Sequence, residues 1–111
     1  MTVHVDLRGS APPPQDVSVA LFRIAQEALQ NVNRHSGATE AWVMLDMTGS
    51  SVRLSVRDDG HGFDEAAVTP EHLGLAMMRE RGEDAHVEVA VESAPGAGTT
   101  VTAVWRPDEE P

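Results

Sequence analysis

The spacing of apolar side chains along the chain predicts two kinds of element. Five segments are predicted as β-strands, most of them because apolar and polar residues alternate as on a sheet with one buried face. These segments are residues 3–7, 40–48, 51–57, 86–92 and 99–105. In residues 15–35 and 73–84, apolar side chains recur every three or four positions, which predicts helices. The apolar stripe of the longer helix consists of Val17, Leu21, Ile24, Ala28 and Val32.

The order of these elements indicates the fold class. A strand and a long helix come first, followed by a hairpin, a loop, a second helix and a second hairpin. Short turns at residues 49–50 and 93–98 favour antiparallel pairing in both hairpins. The pattern predicts an α/β (α+β) two-layer sandwich, in which helices cover one face of a mixed, largely antiparallel sheet. We expect a single domain over residues 1–106 and an acidic tail at residues 107–111.

Size and charge exclude several classes of function. The chain has 111 residues, with 18 acidic against 8 basic side chains and a formal net charge of -10. Because nucleic acids and anionic lipid surfaces are bound through Lys and Arg, we expect neither a nucleic-acid partner nor direct membrane contact. The chain has no cysteine, which excludes disulfides and thiolate chemistry and fits a cytoplasmic location.

Four polar side chains share one flank of the long predicted helix: Glu27, Asn31, Arg34 and His35. Their spacing places them beside the apolar stripe. Carboxylate and amide oxygens suit Mg²⁺, and the two cationic side chains suit phosphate. The group therefore predicts a site for a metal-bound polyphosphate, and the alternative is an ordinary solvated helix face.

Three glycine-containing segments follow the helix along the chain. They are residues 58–63 after a strand, residues 72–75 at the start of the second helix, and residues 93–99 between the last two strands. Glycine lets a backbone approach a ligand closely, and the free N–H groups of a helix start favour phosphate. Each segment taken alone has a plain alternative, a turn or a helix cap. Their order and spacing together are the stronger signal.

These segments resemble the ATP-binding catalytic domain of two-component sensor histidine kinases, of the GHKL (Bergerat-fold) superfamily. The segment IAQEALQNVNRHS, residues 24–36, is similar to the N box of that family, and DDGHGF, residues 58–63, is similar to its G1 box. Residues 74–81 resemble the G2 region with its following helix, and residues 93–99 resemble the last glycine box. The resemblance spans residues 15–106 and is closest to kinases that partner nitrate-response-type, LuxR-like regulators.

The resemblance implies a role for each matching position around the metal and the base. Asn31 would be the Mg²⁺ ligand, and Glu27 would be the catalytic acidic residue that assists phosphoryl transfer. Asp58 would accept a hydrogen bond from the adenine amine. Gly60 and Gly62 would leave room for adenine and for the lid segment, residues 64–73.

The remaining positions would complete the nucleotide site. Arg34 and His35 would face the phosphates, and Gly74 and Leu75 would offer them backbone N–H groups. Thr99 would complete the adenine end. From strand and helix phase, we expect apolar packing on the base from Ala28, Val56, Phe63 and Val101.

The chain departs from the family pattern at three places. His72 stands where a glycine is usual, which puts a backbone contact of residue 72 with phosphate in doubt. Arg34 stands where lysine is common, and Ala85–His86 stand where many relatives have two glycines. No helix with a phosphoacceptor histidine is predicted before residue 15, so we expect this chain to be part of a longer kinase.

The implied function is that of a Mg-ATP-binding domain that supplies the γ-phosphoryl group to a histidine on a separate dimerisation domain. The isolated chain is expected to bind ATP or ADP without phosphorylating itself, and a LuxR-like response regulator would act downstream. The parent kinase would be free to carry a membrane anchor elsewhere. The alternatives are an anti-sigma-type serine kinase of the same superfamily, a silent nucleotide-gated interaction module, and an unrelated acidic binding protein.

Overall fold

A computed structural model describes residues 2–33, 37–62 and 75–107 of the chain, with the side chains of residues 75–77 outside the description. The elements, in chain order, are β1 (Thr2–Gly9), α1 (Gln15–Asn31), β2 (Glu40–Met47), β3 (Val52–Asp58), α2 (Leu75–Asp84), β4 (Val87–Ser93) and β5 (Thr99–Trp105). All five predicted strands and both predicted helices are therefore present. No helix in the described ranges is long and apolar enough to cross a membrane.

The five strands form one sheet in the order β1-β2-β3-β5-β4. β1 pairs with β2 in parallel, because α1 carries the chain back across the sheet between them. The other three pairings, β2 with β3, β3 with β5 and β4 with β5, are antiparallel. The predicted mixed, largely antiparallel sheet is confirmed.

Helix α1 covers the middle of the sheet with the predicted apolar stripe. It packs against β3, β5 and β4, and α2 packs beside it against β4. Ile24 is 0% exposed at the centre of the stripe. α1 ends at Asn31, earlier than the predicted residue 35, and residues 32–33 continue as a wider π-type turn. Pro14 is the N-cap residue of α1, and no side-chain hydrogen bond caps the helix there.

The core lies between α1 and one face of the sheet. Directly opposed pairs in the register, Leu54 with Ala103 and Val56 with Val101, lie on this face and are buried. Met78 of α2 is buried in the same cluster. Side chains two positions apart on a strand lie on the same face, so Asp58, which follows Val56 by two residues, also lies on the core side.

The alternation in residues 3–7 predicts a half-buried strand, and this expectation is wrong in one respect. Strand β1 forms, but all of its residues are exposed. The reason is its place in the sheet: the helices pack on β3, β5 and β4, while β1 lies at the opposite edge. Neither of the two described helices therefore packs on the apolar face of β1.

Candidate functional site

The carboxylate of Asp58 lies at the end of the core. Asp58 is the last residue of β3 and is only 4% exposed, the single buried charged residue in the described ranges. In the register it stands between Ala41 of β2 and Thr99 of β5. Because Ala41 is fully buried and small, the carboxylate has an apolar neighbour on one side and a hydroxyl residue on the other.

The hydrogen bonding of Asp58 leaves one oxygen available. Its Oδ1 accepts a hydrogen bond from the N–H of Gly60 at 2.8 Å, which orients the carboxylate. No other described donor reaches this side chain. Every fully enclosed side-chain oxygen of the described residues has a hydrogen-bond partner, so Oδ2, which has none among them, keeps some exposed surface. A carboxylate oxygen in such a poorly solvated position favours a ligand N–H group.

The adjacent carboxylate, Asp59, has a structural role instead. Its Oδ1 accepts hydrogen bonds from the N–H groups of Thr39 at 2.9 Å and Glu40 at 3.0 Å. Its Oδ2 accepts a third from the Thr39 hydroxyl at 2.9 Å. The Glu40 N–H and the Thr39 hydroxyl, in that order, lower the pKa of Asp59 below its usual value. Asp59 therefore ties the segment that enters β2 to the end of β3.

Two of the predicted glycine segments pack directly on each other. Gly62 has φ +67, and a side chain there would meet the carbonyl oxygens of Ala94 and Gly98. Gly98 has φ +73, and a side chain there would meet the carbonyl oxygen of Asp58. The N–H of Gly96 also donates to the carbonyl of His61. Residues 58–62 and 93–98 thus form one backbone-on-backbone unit, which only glycine permits.

Two hydroxyl side chains hold this unit at the side of Asp58. The Ser93 Oγ donates to the carbonyl of Gly98 at 2.9 Å and lies 2.9 Å from the Thr99 Oγ1. Thr99 is the register partner of Asp58, so its hydroxyl belongs to the same end of the sheet. Thr99 was predicted to be a site residue from the sequence, whereas Ser93 and Asp59 were not. The sequence does contain a hint for both residues, since Ser93 comes just before a turn and Asp59 comes just after the end of a strand.

Two of the predicted helix residues lie on the last turns of α1. Glu27 and Asn31 are one turn apart on α1 and both are half-buried, next to the buried Ile24 and Ala28. The segment after α1 also meets the loop after β3: a side chain at Gly37, which has φ +67, would overlap the imidazole of His61. The segment that precedes β2, the loop after β3 and the β4–β5 turn therefore converge.

Several predicted site residues lie outside the described part of the chain. Arg34, His35, Phe63 and Gly74 are among them, as is His72. Leu75 begins α2, but its side chain is not described. Phosphate binding by Arg34, His35, Gly74 and Leu75 and packing on the base by Phe63 remain predictions.

The described residues fit a magnesium ion that is held chiefly by its nucleotide. Among them, no three carboxylate or imidazole side chains cluster to hold a metal ion. Mg²⁺ commonly keeps several waters and takes only one or two protein oxygens together with substrate phosphates. The half-buried Asn31, with Glu27 one turn before it, matches that type of site and not a self-sufficient metal centre.

Comparison with known proteins gives a consistent result. Residues 16–110 match the family described as "Histidine kinase-, DNA gyrase B-, and HSP90-like ATPase". The chain is 32% identical to the nitrate/nitrite sensor protein NarX of Escherichia coli over 95% of its own length and 18% of that protein's. It is 43% identical to the sensor histidine kinase LiaS of Bacillus subtilis over 73% of its length and 22% of that protein's.

The fold is shared with solved histidine kinase structures. The histidine kinase domain of the blue-light-activated kinase from Erythrobacter litoralis superposes with a TM-score of 0.70 at 24% identity, over 93% of this chain and 51% of that one. The mycobacterial sensor histidine kinase MprB gives 0.63 at 19% identity, over 96% of this chain and 84% of that one. The chain spans about a fifth of the length of the curated relatives it matches. The predicted resemblance is confirmed: the chain belongs to the histidine kinase-, DNA gyrase B- and HSP90-like ATPase family.

Proposed function

We propose that residues 1–106 act as one catalytic domain that binds Mg-ATP and supplies its γ-phosphoryl group to a histidine of a separate dimerisation domain. The observation that carries the proposal is the buried Asp58 carboxylate, which has one oxygen held by Gly60 and the other open. Such a carboxylate oxygen is suited to accept a hydrogen bond from an N–H group of a ligand. The glycine segments that meet beside it, residues 58–62 and 93–98, match the family's glycine boxes and support a nucleotide as that ligand.

The Asp58 carboxylate favours adenine among the purines. The exocyclic amine of adenine donates hydrogen bonds, whereas the corresponding O6 of guanine accepts them. A guanine in the same position would set two acceptors against each other and leave Oδ2 unpaired, which costs about 1–3 kcal/mol. Thr99 and the glycine unit complete this end, with Ala28, Val56 and Val101 supplying apolar surface near the base.

At the other end of the nucleotide, the helix residues neutralise and orient the phosphates. Asn31 would hold Mg²⁺ through its amide oxygen, and the ion would offset the charge of the triphosphate. Arg34 and His35 would add positive charge, and the N–H groups of Gly74 and Leu75 would reach the phosphate oxygens. Local charge of this kind allows a chain of net charge -10 to bind an anion.

Transfer requires an acceptor imidazole from outside this chain. Its nitrogen would attack the γ-phosphorus, the bond to the bridging β–γ oxygen would break, and ADP would leave. Glu27 would assist by polarising the acceptor imidazole or a metal-bound water. The partners proposed are therefore ATP and ADP, the dimerisation and phosphoacceptor domain of a longer kinase, and a response regulator of LuxR-like type. We place the domain in the cytoplasm, with any membrane anchor in the rest of the kinase.

Calorimetric titration tests the binding part of this proposal. The chain should bind ADP and MgATP and discriminate against GTP by at least about tenfold, the equivalent of about 1.4 kcal/mol. Asp58→Asn should abolish most of that discrimination. Asp6→Asn, which removes an exposed carboxylate of β1, is the matched control and should bind as the parent does. Absence of ADP binding, or equal affinity for ATP and GTP, would contradict the proposal.

A further inference from the structure

Ser93, Thr99 and Asp58 form one row across three neighbouring strands at the end of the sheet. Ser93 of β4 is the register partner of Thr99 in β5, and Thr99 is the register partner of Asp58 in β3. Residues paired in this way lie on the same face of a sheet, with their Cβ atoms about 4.5–5.5 Å apart. The row therefore places two hydroxyl groups beside the buried carboxylate that we propose to recognise the base.

The hydrogen bonds of the Ser93 hydroxyl determine which way the proton of its neighbour points. A hydroxyl group has one proton to donate and two lone pairs that accept. The Ser93 Oγ lies 2.9 Å from the carbonyl oxygen of Gly98, and a carbonyl can only accept, so the Ser93 proton is used in this bond. The same Oγ lies 2.9 Å from the Thr99 Oγ1. The proton of this second bond must therefore come from Thr99.

The Thr99 hydroxyl is consequently left as an acceptor toward a ligand. Its proton is directed to Ser93, and within the described part of the chain no other group is hydrogen-bonded to its oxygen. Turning that proton toward a ligand would leave two hydroxyl oxygens 2.9 Å apart with no proton between them, at the loss of one hydrogen bond. Thr99 Oγ1 and Asp58 Oδ2 are thus two acceptors on one face at the same end of the sheet.

We propose that Ser93 is a positioning residue for nucleotide specificity, which fixes Thr99 as a second acceptor beside Asp58. This inference rests on the proposed nucleotide site and adds a determinant to it. The exocyclic amine of adenine has two N–H groups, one for each acceptor, whereas a carbonyl oxygen in the same place would face two acceptors. Removing the Ser93 hydroxyl frees the Thr99 proton, which can then be donated to such a carbonyl. Ser93 acts on the ligand only through Thr99.

Calorimetric titration with ADP and IDP measures this specificity, because IDP carries the O6 carbonyl in place of the amine. The parent should bind ADP more tightly than IDP. Ser93→Ala should reduce the ratio of the two affinities by roughly three- to tenfold, the effect of about one hydrogen bond. Ser93→Thr keeps a hydroxyl and should retain the parental ratio. Ser55→Ala removes a half-buried serine from the opposite face of the sheet and should bind both nucleotides as the parent does.

A second background separates positioning from a general effect on the turn. Thr99→Val lacks the hydroxyl through which Ser93 acts, so adding Ser93→Ala to it should leave the ratio of ADP to IDP affinity unchanged. Circular dichroism checks that every variant is folded. An equal loss of affinity for ADP and IDP in Ser93→Ala would assign Ser93 to the fold of the turn alone and overturn this inference, while the proposed function would stand. A parent that binds neither nucleotide would contradict the proposed function itself.

Discussion

Strands β1 and β3 have the same alternation of apolar and polar residues but opposite environments. In β3, Val52, Leu54 and Val56 are buried beneath the helix layer. In β1, every residue is exposed. Since the alternation is shared, it specifies only which side chains lie together on one face. Whether that face is buried depends on where the helices pack, and they pack on β3, β5 and β4.

The same contrast separates two parts of the sheet. The covered end of β3 continues into a buried carboxylate and two glycine segments in close contact. The residues of β1 are all exposed. The nucleotide site that we propose therefore lies in the part of the sheet that the helix layer covers.

The largest expected effect is on stability in the covered region. Ile24→Ala should lower the free energy of unfolding by about 2–5 kcal/mol, because Ile24 is fully buried and its removal leaves a cavity. Val5→Ala in β1 should change it by less than about 0.5 kcal/mol, as is usual for exposed sites. Urea unfolding of both variants at low protein concentration measures the difference. Similar losses in the two variants would show that β1 is covered in solution.

A smaller effect is expected at the glycine unit. Gly98→Ala should lower stability by about 1–3 kcal/mol from backbone strain at positive φ. It should also weaken ADP binding, because the new side chain would displace the carbonyl of Asp58. Gly49→Ala is the matched control: no atom lies within 4 Å of the added group, and both stability and binding should be retained. Normal ADP affinity in a folded Gly98→Ala variant would separate this turn from the site.

The smallest effect is expected at Asp59, and it depends on pH. Because hydrogen bonds lower the pKa of the folded Asp59 below the ordinary 3.8, the ionised form stabilises the fold above that pH. This contribution is lost as the pH falls through the lowered pKa. Asp59→Asn should therefore unfold at a lower urea concentration than the parent at pH 7. This gap between the two urea midpoints should close at strongly acidic pH. Thr39→Val, which removes only the hydroxyl donor, should give an intermediate gap. A gap of constant size at all pH values would assign the effect to something other than ionisation.

Prediction from the sequence succeeded where local pattern and chemistry coincide. The alternation and the 3–4 spacing identified the seven described elements. Asp58, Gly62 and Thr99, which were assigned to one site, lie together at one end of the sheet, and their binding roles stay predictions. Asp59 was missed because neighbouring residues of similar type lie on opposite sides of a strand end. Ser93 was missed because its role depends on a contact with Thr99 across the turn.

The amino-acid sequence by itself determined the elements and the apolar stripe of α1, since these follow from side-chain periodicity, and it located the glycine-containing segments. Tertiary structure alone decided which strands the helices cover. It placed Asp58 between Ala41 and Thr99, packed Gly62 against Gly98, and left β1 exposed at the edge. Such outcomes depend on contacts between residues distant along the chain, and a local pattern carries no information about which distant face comes to lie against it.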